Sequence, residues 1–110
     1  MERGNAGCWP IGKAEERIHK YARLCFELAY TDHANEKIEQ RGITVADIRH
    51  ILENGHIHDE PEATKRPGYC KYKICGRAPN SGRREICAVI VPDPHKPAIK
   101  LITVMWRDLS

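Results

Sequence analysis

Residues 69–76 read YCKYKICG, and the alternation in this stretch decides the fold class. Successive side chains of an extended strand point to opposite faces. Lys71 and Lys73 therefore share one face, and Tyr72 and Ile74 share the other, which is the pattern of a half-buried strand. Toward the C-terminus, 85–91 (EICAVIV) and 98–106 (AIKLITVMW) are two further apolar strands. Turn-forming residues separate the three: Ala78-Pro79-Asn80-Ser81-Gly82 after the first, and the Pro-rich run 92–97 after the second. Toward the N-terminus the period is helical instead.

Ile18, Tyr21, Ala22, Cys25, Leu28 and Ala29 recur every three or four residues, which predicts a helix over 12–30. Asp32 is the expected N-cap of a second, shorter helix. Gly42 ends it, where a left-handed conformation is cheap for glycine. Thr44 to Asp47 reads as a capping box opening a third helix, with Val45, Ile48, Ile51 and Leu52 on its apolar face and Asn54-Gly55 as its stop. His56 to Asp59 is expected to be a short, marginal strand. Helices followed by hairpin-connected strands imply an α+β fold: N-terminal helices packed on one face of a three- to four-stranded antiparallel meander. With 110 residues the chain fits one domain over 12–110, preceded by a loose leader over 1–11 in which Trp9-Pro10-Ile11 has the composition to dock.

No apolar run approaches the ~18 residues that a membrane span requires, and the polar N-terminus lacks the core of a secretion signal. A cytoplasmic protein without membrane partners is expected. The five cysteines form no scaffold spacing, so thiols are expected, with Cys25 and Cys87 acting as small hydrophobes.

Net charge is +3, and its distribution is uneven. Between 65 and 84 lie Lys65, Arg66, Lys71, Lys73, Arg77, Arg83 and Arg84 with no acid, so the rest of the chain is net acidic. Such a strip is the footprint of a phosphate-binding surface, or else a solvated hairpin kept soluble by charge.

His33-Ala34, then Arg41-Gly42-Ile43-Thr44, then a helix, a Tyr-rich strand and a closing Ile102-Thr103-Val104-Met105-Trp106 resemble the bacterial domain of unknown function 4258 over about 31–107. That family is similar in layout to the BrnT and RelE toxins, small metal-independent ribonucleases restrained by antitoxins. The resemblance implies RNA and a cognate antitoxin protein as partners, and no cofactor.

Metal-independent RNA cleavage is an internal attack of a 2′-OH on the neighbouring phosphorus. It needs a base, an acid and a cation against the charge growing on phosphoryl oxygens. His33, the histidine of the signature, is the candidate base or acid. Arg41 and Arg77 are the candidate cations, since a guanidinium meets two phosphate oxygens at once. Each also has a plainer explanation: a helix-cap histidine for His33, and a cation at a helix C-terminus for Arg41.

Lys65, Arg66, Lys71, Lys73, Arg83 and Arg84 are the candidate phosphate contacts. Tyr69 shares the lysine face and has the shape to stack on a splayed base. Tyr72 lies on the other face, where core packing is expected of it before a hydroxyl donated to RNA or a stacked base, and Trp106 is expected to cap the core, or with Arg107 to close the site. Ligand spacing for a metal is absent: there is no Cys-x2-Cys and no helical His-x3-His. His56 and His58 are expected as exposed edge residues. The same strip equally suits a binding module without chemistry, or a plain interaction domain.

Overall fold

A computed structural model of the chain describes residues 7–24, 26–78 and 84–107. The described elements run α1 (Ile11–Arg23), β1 (Glu27–Tyr30), α2 (Asp32–Arg41), α3 (Val45–Asn54), β2 (His56–Ile57), β3 (Glu62–Ala63), β4 (Cys70–Arg77), β5 (Glu85–Pro92) and β6 (Ala98–Trp106). The fold is α+β, and β4, β5 and β6 form the antiparallel meander. The sheet is larger than expected and mixed. Its order is β1-β6-β5-β4-β2, with β3 also paired to β4 and β1 parallel to β6.

The strand β1 corrects the helix expected over 12–30. Helix α1 buries Ala14, Ile18 and Ala22 and ends at Arg23, where Leu24 turns extended. Leu28 and Tyr30 then alternate inward while Glu27 and Ala29 face solvent. Leu28-Ala29 fits a helical stripe and Leu28-x-Tyr30 fits a strand. Pairing with Ile99 and Leu101 of β6 decides for the strand. The N-cap of α2 is also one residue earlier than expected: Thr31 Oγ1 accepts the Ala34 N–H at 3.0 Å.

Gly42, at φ 65°, closes α2 in the left-handed region. The capping box of α3 is present, with Thr44 Oγ1 accepting from Asp47 N and Asp47 Oδ2 from Thr44 N. Val45 departs from its expected inward face and is exposed.

The core lies between the helices and one face of the sheet. Across the strands, Ile74, Ala88 and Val104 stand side by side, as do Tyr72, Ile90 and Leu101. Ile18, Ile48, Ile51 and Leu52 meet them from the helices, fully buried. At the end of α3 the helix and the sheet approach closely. A Cβ on Gly55 would come within 2.6 Å of Ile51 O and 2.8 Å of Cys75 O, and one on Gly76 within 3.2 Å of Gly55 Cα.

Helix α2 runs along the outer edge of β6 where β1 has ended. Thr31 Oγ1 donates to Ile102 O at 3.0 Å and Arg41 Nη1 to Val104 O at 3.0 Å, while the Trp106 indole donates to Arg41 O at 2.9 Å. The first two bonds satisfy β6 carbonyls that an edge strand otherwise leaves open, and the third satisfies a carbonyl at the end of α2.

The expectation of thiols is corrected for four cysteines. Cys75 and Cys87 face each other in the β4–β5 register, Cα atoms 4.1 Å apart, and are disulfide-bonded. Cys8 is bonded to Cys70 across 62 residues, Cα atoms 5.8 Å apart. Chain spacing carries no trace of either pairing, because strand register and a docked segment create them. Cys25 lies outside the described residues. Beside Cys8, the Trp9 N–H donates to the Tyr72 hydroxyl at 2.7 Å, and that hydroxyl donates to Trp9 O at 3.0 Å. The Trp9 ring stacks on Tyr72 and carries the Arg17 guanidinium 4.9 Å from its centroid. Burial pushes the Tyr72 phenol above its ordinary value, against the bond to Trp9.

Candidate nucleic-acid interface

The face of the sheet turned away from the core carries Lys71 and Lys73 from β4, Val89 and Val91 from β5, and Lys100, Ile102 and Thr103 from β6. The register slips between Val89 and Ile90, so Ile102 is an extra residue without a direct partner on β5. Lys100 stands between Val91 and Ala29 of the flanking strands. A groove of about 400 Å³ lies over this part of the face. Its floor is Ala29, Val91 and Ile102, and Arg66, Tyr69, Lys71, Lys96 and Lys100 surround it.

One wall is the turn between β3 and β4. Arg66-Pro67-Gly68-Tyr69 is a tight turn closed by the Tyr69 N–H donating to Arg66 O at 3.1 Å, with Gly68 at φ 83°. Pro before a glycine of positive φ is what a type II turn demands. Thr64 locks it further: its hydroxyl accepts the Arg66 N–H at 3.1 Å, and its own N–H donates to Tyr69 O at 3.1 Å. The Arg66 guanidinium is held 3.9 Å from the Tyr69 ring centroid, a cation–π stack. A planar cation and an aromatic ring thus sit together at the rim.

A second wall is the turn between β5 and β6, whose Pro94 lies next to Gly68 of the first. Asp93 Oδ1 accepts the N–H groups of His95 and Lys96 at 2.7 and 3.2 Å, which turns the chain and brings the Lys96 side chain to the groove. Two carboxylates, Glu27 and Asp93, also line it. Lys96 lies 3.5 Å from Glu27 and Lys71 3.9 Å from Glu62. Both pairs are exposed and loose, so they bind these lysines weakly. Among the described residues, neither Lys100 nor Lys73 has an ion-pair partner. The groove has more cations than anions.

The structure divides the basic strip. Arg66, Tyr69 and Lys71 are brought together at the groove. Lys65 is exposed on the same turn, and Lys73 is half-buried one rung along the same strand face. Arg77 is at the far end of β4 opposite Glu85, whose carboxylate is engaged by Arg107 at 2.6 Å. Arg84 lies with its guanidinium 4.1 Å from the Trp106 ring centroid. Arg83 is outside the described residues.

His33 is exposed near the start of α2, and Arg41 is half-buried at its end with a guanidinium nitrogen on the backbone of β6. Neither lines the groove. Lys96 and Lys100 were not among the residues singled out from sequence. A lysine interrupting AIKLITVMW was the available signal for Lys100. Lys96 had none beyond its place among prolines. No group of three or more His, Cys, Asp or Glu side chains able to hold a metal occurs among the described residues, and no described helix is long and apolar enough to cross a membrane.

A family model described as a domain of unknown function, DUF4258, matches residues 30–106. The chain belongs to the DUF4258 family. No curated protein and no solved structure matches it. The DUF4258 match takes in the meander, both walls of the groove and the α2 clamp on β6. It leaves out α1 and the segment fastened by Cys8 and Trp9.

Proposed function

We propose that the protein binds single-stranded RNA along the outer face of its sheet. The observation that carries this reading is the convergence of Lys71, Lys96 and Lys100 on an apolar floor beside the Arg66–Tyr69 stack. Single-strand binding sites combine cations that track the phosphates with rings on which bases stack. The lysines supply the first, and Tyr69 and Arg66 supply the second. The apolar floor suits base faces and offers nothing to a bare phosphate. RNA rather than DNA is inferred from the resemblance of the family's sequence layout to the RelE and BrnT ribonucleases.

The same layout favours a second reading, a toxin-type endoribonuclease held in check by an antitoxin. His33, Arg41 and Arg77 are its candidate catalytic residues. In that reading the bound strand leaves the groove and passes over the edge of β6 to reach α2.

Purified protein incubated with labelled RNA across a salt series tests both. With three lysines on phosphates, the logarithm of affinity is expected to fall with a slope of about −2 against the logarithm of salt. Lys71→Ala/Lys100→Ala is expected to reduce that slope by about 1.4. A stable complex with intact RNA supports the binding module. A product ending in a 2′,3′-cyclic phosphate, lost in Arg41→Ala, supports the nuclease. No complex at low salt would overturn the RNA reading altogether.

A further inference from the structure

A second basic cleft lies on the other side of the β5–β6 turn. It measures about 590 Å³ and is formed by one face of α1 and the run 94–97. Lys13, Arg17, Lys20 and Leu24 follow at intervals of four, three and four residues, so they make a single stripe along the helix. This stripe is opposite in character to the buried Ala14, Ile18 and Ala22. Lys13, Arg17 and Lys20 meet one lining acid, Glu16, and among the described residues none of the three makes an ion pair. Tyr21 forms part of the wall, its hydroxyl donating to Asp93 O at 2.8 Å.

Lys96 lines both this cleft and the groove over the sheet. The β5–β6 turn is therefore a low ridge, with a cation on its crest and basic surface on either side. A polyanion leaving the groove past Lys96 meets α1 next. We propose that the stripe Lys13–Arg17–Lys20 is a second phosphate-binding site continuous with the groove, so that one RNA strand lies across both with Lys96 at the join. This extension rests on the RNA reading of the groove. It assigns a binding role to α1, which stands outside the family match at 30–106.

The strand's length separates the two sites. Oligoribonucleotides of about 4 and about 12 nucleotides fall within the range of site sizes of single-strand binding domains, about 4–16; the short one occupies the groove alone and the long one reaches α1. Lys13→Gln/Lys20→Gln alters two exposed positions and leaves Arg17 on Trp9. With the long strand this variant is expected to lose about 1.4 from the salt slope, an affinity loss of up to about 25-fold at 0.1 M salt. With the short strand it should match the parent. A control pair, Arg23→Gln/Lys37→Gln, removes the same charge outside both clefts and should leave both strands unaffected.

If the parent binds both strands and the α1 variant binds the long one equally well, the second site is overturned and the groove stands. If the variant loses both strands alike, or the control pair does the same as the variant, α1 acts only through net charge, and the second site is again overturned. If the parent binds neither strand, both proposals fall.

Discussion

Replacing Gly55 by alanine probes the contact that sets α3 against β4. The added methyl would sit 2.6 Å from Ile51 O, 2.8 Å from Cys75 O and 3.0 Å from Ile74 Cγ1. The first two obstacles are backbone atoms. Neither can rotate aside, and they lie about 0.8 and 0.6 Å inside the 3.4 Å at which ordinary contact begins. Relief requires moving the end of α3 away from the sheet, where His19 Nε2 is held 2.8 Å from Gly55 O and the Gly55 N–H bonds Ile51 O. Overpacking of this kind costs about 1–3 kcal/mol, and two rigid clashes place Gly55→Ala near the upper end. For a domain of this size that is a fall in Tm of about 12 °C.

Gly12→Ala is the matched control. It lies early in α1 with nothing within 4 Å of the new methyl, so it should raise stability by about 0.4–1 kcal/mol through the unfolded chain alone. Thermal unfolding of the parent and both variants, followed by far-UV circular dichroism, gives the three Tm values. A Gly55→Ala protein melting within about 2 °C of the parent would refute the close approach of α3 to β4.

Tyr72→Phe removes a hydroxyl that both accepts from and donates to the Trp9 backbone. A loss of about 1–3 kcal/mol in urea unfolding is expected; an unchanged midpoint would show that Trp9 is not clasped there. Glu15 gives a pH test. Burial pushes its carboxyl up, but the Ile57 N–H, the His56 hydrogen bond and the charges of His56 and His19 outweigh burial and hold it below its ordinary value. A lowered carboxylate stabilises the fold above the unfolded value of about 4.3, and that contribution disappears as pH falls through the lower folded value. The Tm difference between parent and Glu15→Gln should therefore be largest above about pH 5 and close on acidification below about pH 4. A difference that stays constant down to pH 3 would contradict the assignment.

Where local chemistry determines local shape, the sequence was readable. Gly42 could be placed because a positive φ is cheap only without a Cβ. Thr44 and Asp47 could be placed because their two bonds are made within one turn. The alternation of Lys71, Tyr72, Lys73 and Ile74 could be read because one face of β4 is buried. What depends on distant partners was not readable. Residues 27–30 carry both periods at once, and only the edge of β6, some seventy residues later, selects the strand. The disulfide of Cys75 and Cys87 follows from register, and that of Cys8 and Cys70 from a docked segment.

The candidate site shows the same division. The strip from 65 to 84 was visible as charge, but a folded strand sends its two ends to different places. Arg66 and Lys71 reach the groove, while Arg77 and Arg84 do not. Lys96 and Lys100 join it from a separate hairpin, which no local pattern announces. Arg41 stood out by resemblance, and its guanidinium is found on a strand carbonyl.

Among the described residues, Glu27 to Tyr30 of β1, continued by the Thr31 N–H on Leu101 O, shield the backbone of Ala98 to Leu101 on its outward side. A fragment trimmed to start at Tyr30 would keep every residue of the matched region and bare a row of amides ready to recruit a neighbour's strand. Such a fragment should oligomerise or precipitate through that seam. The upstream residues would then serve as a built-in guard against self-templating, quite apart from anything they contribute to recognition.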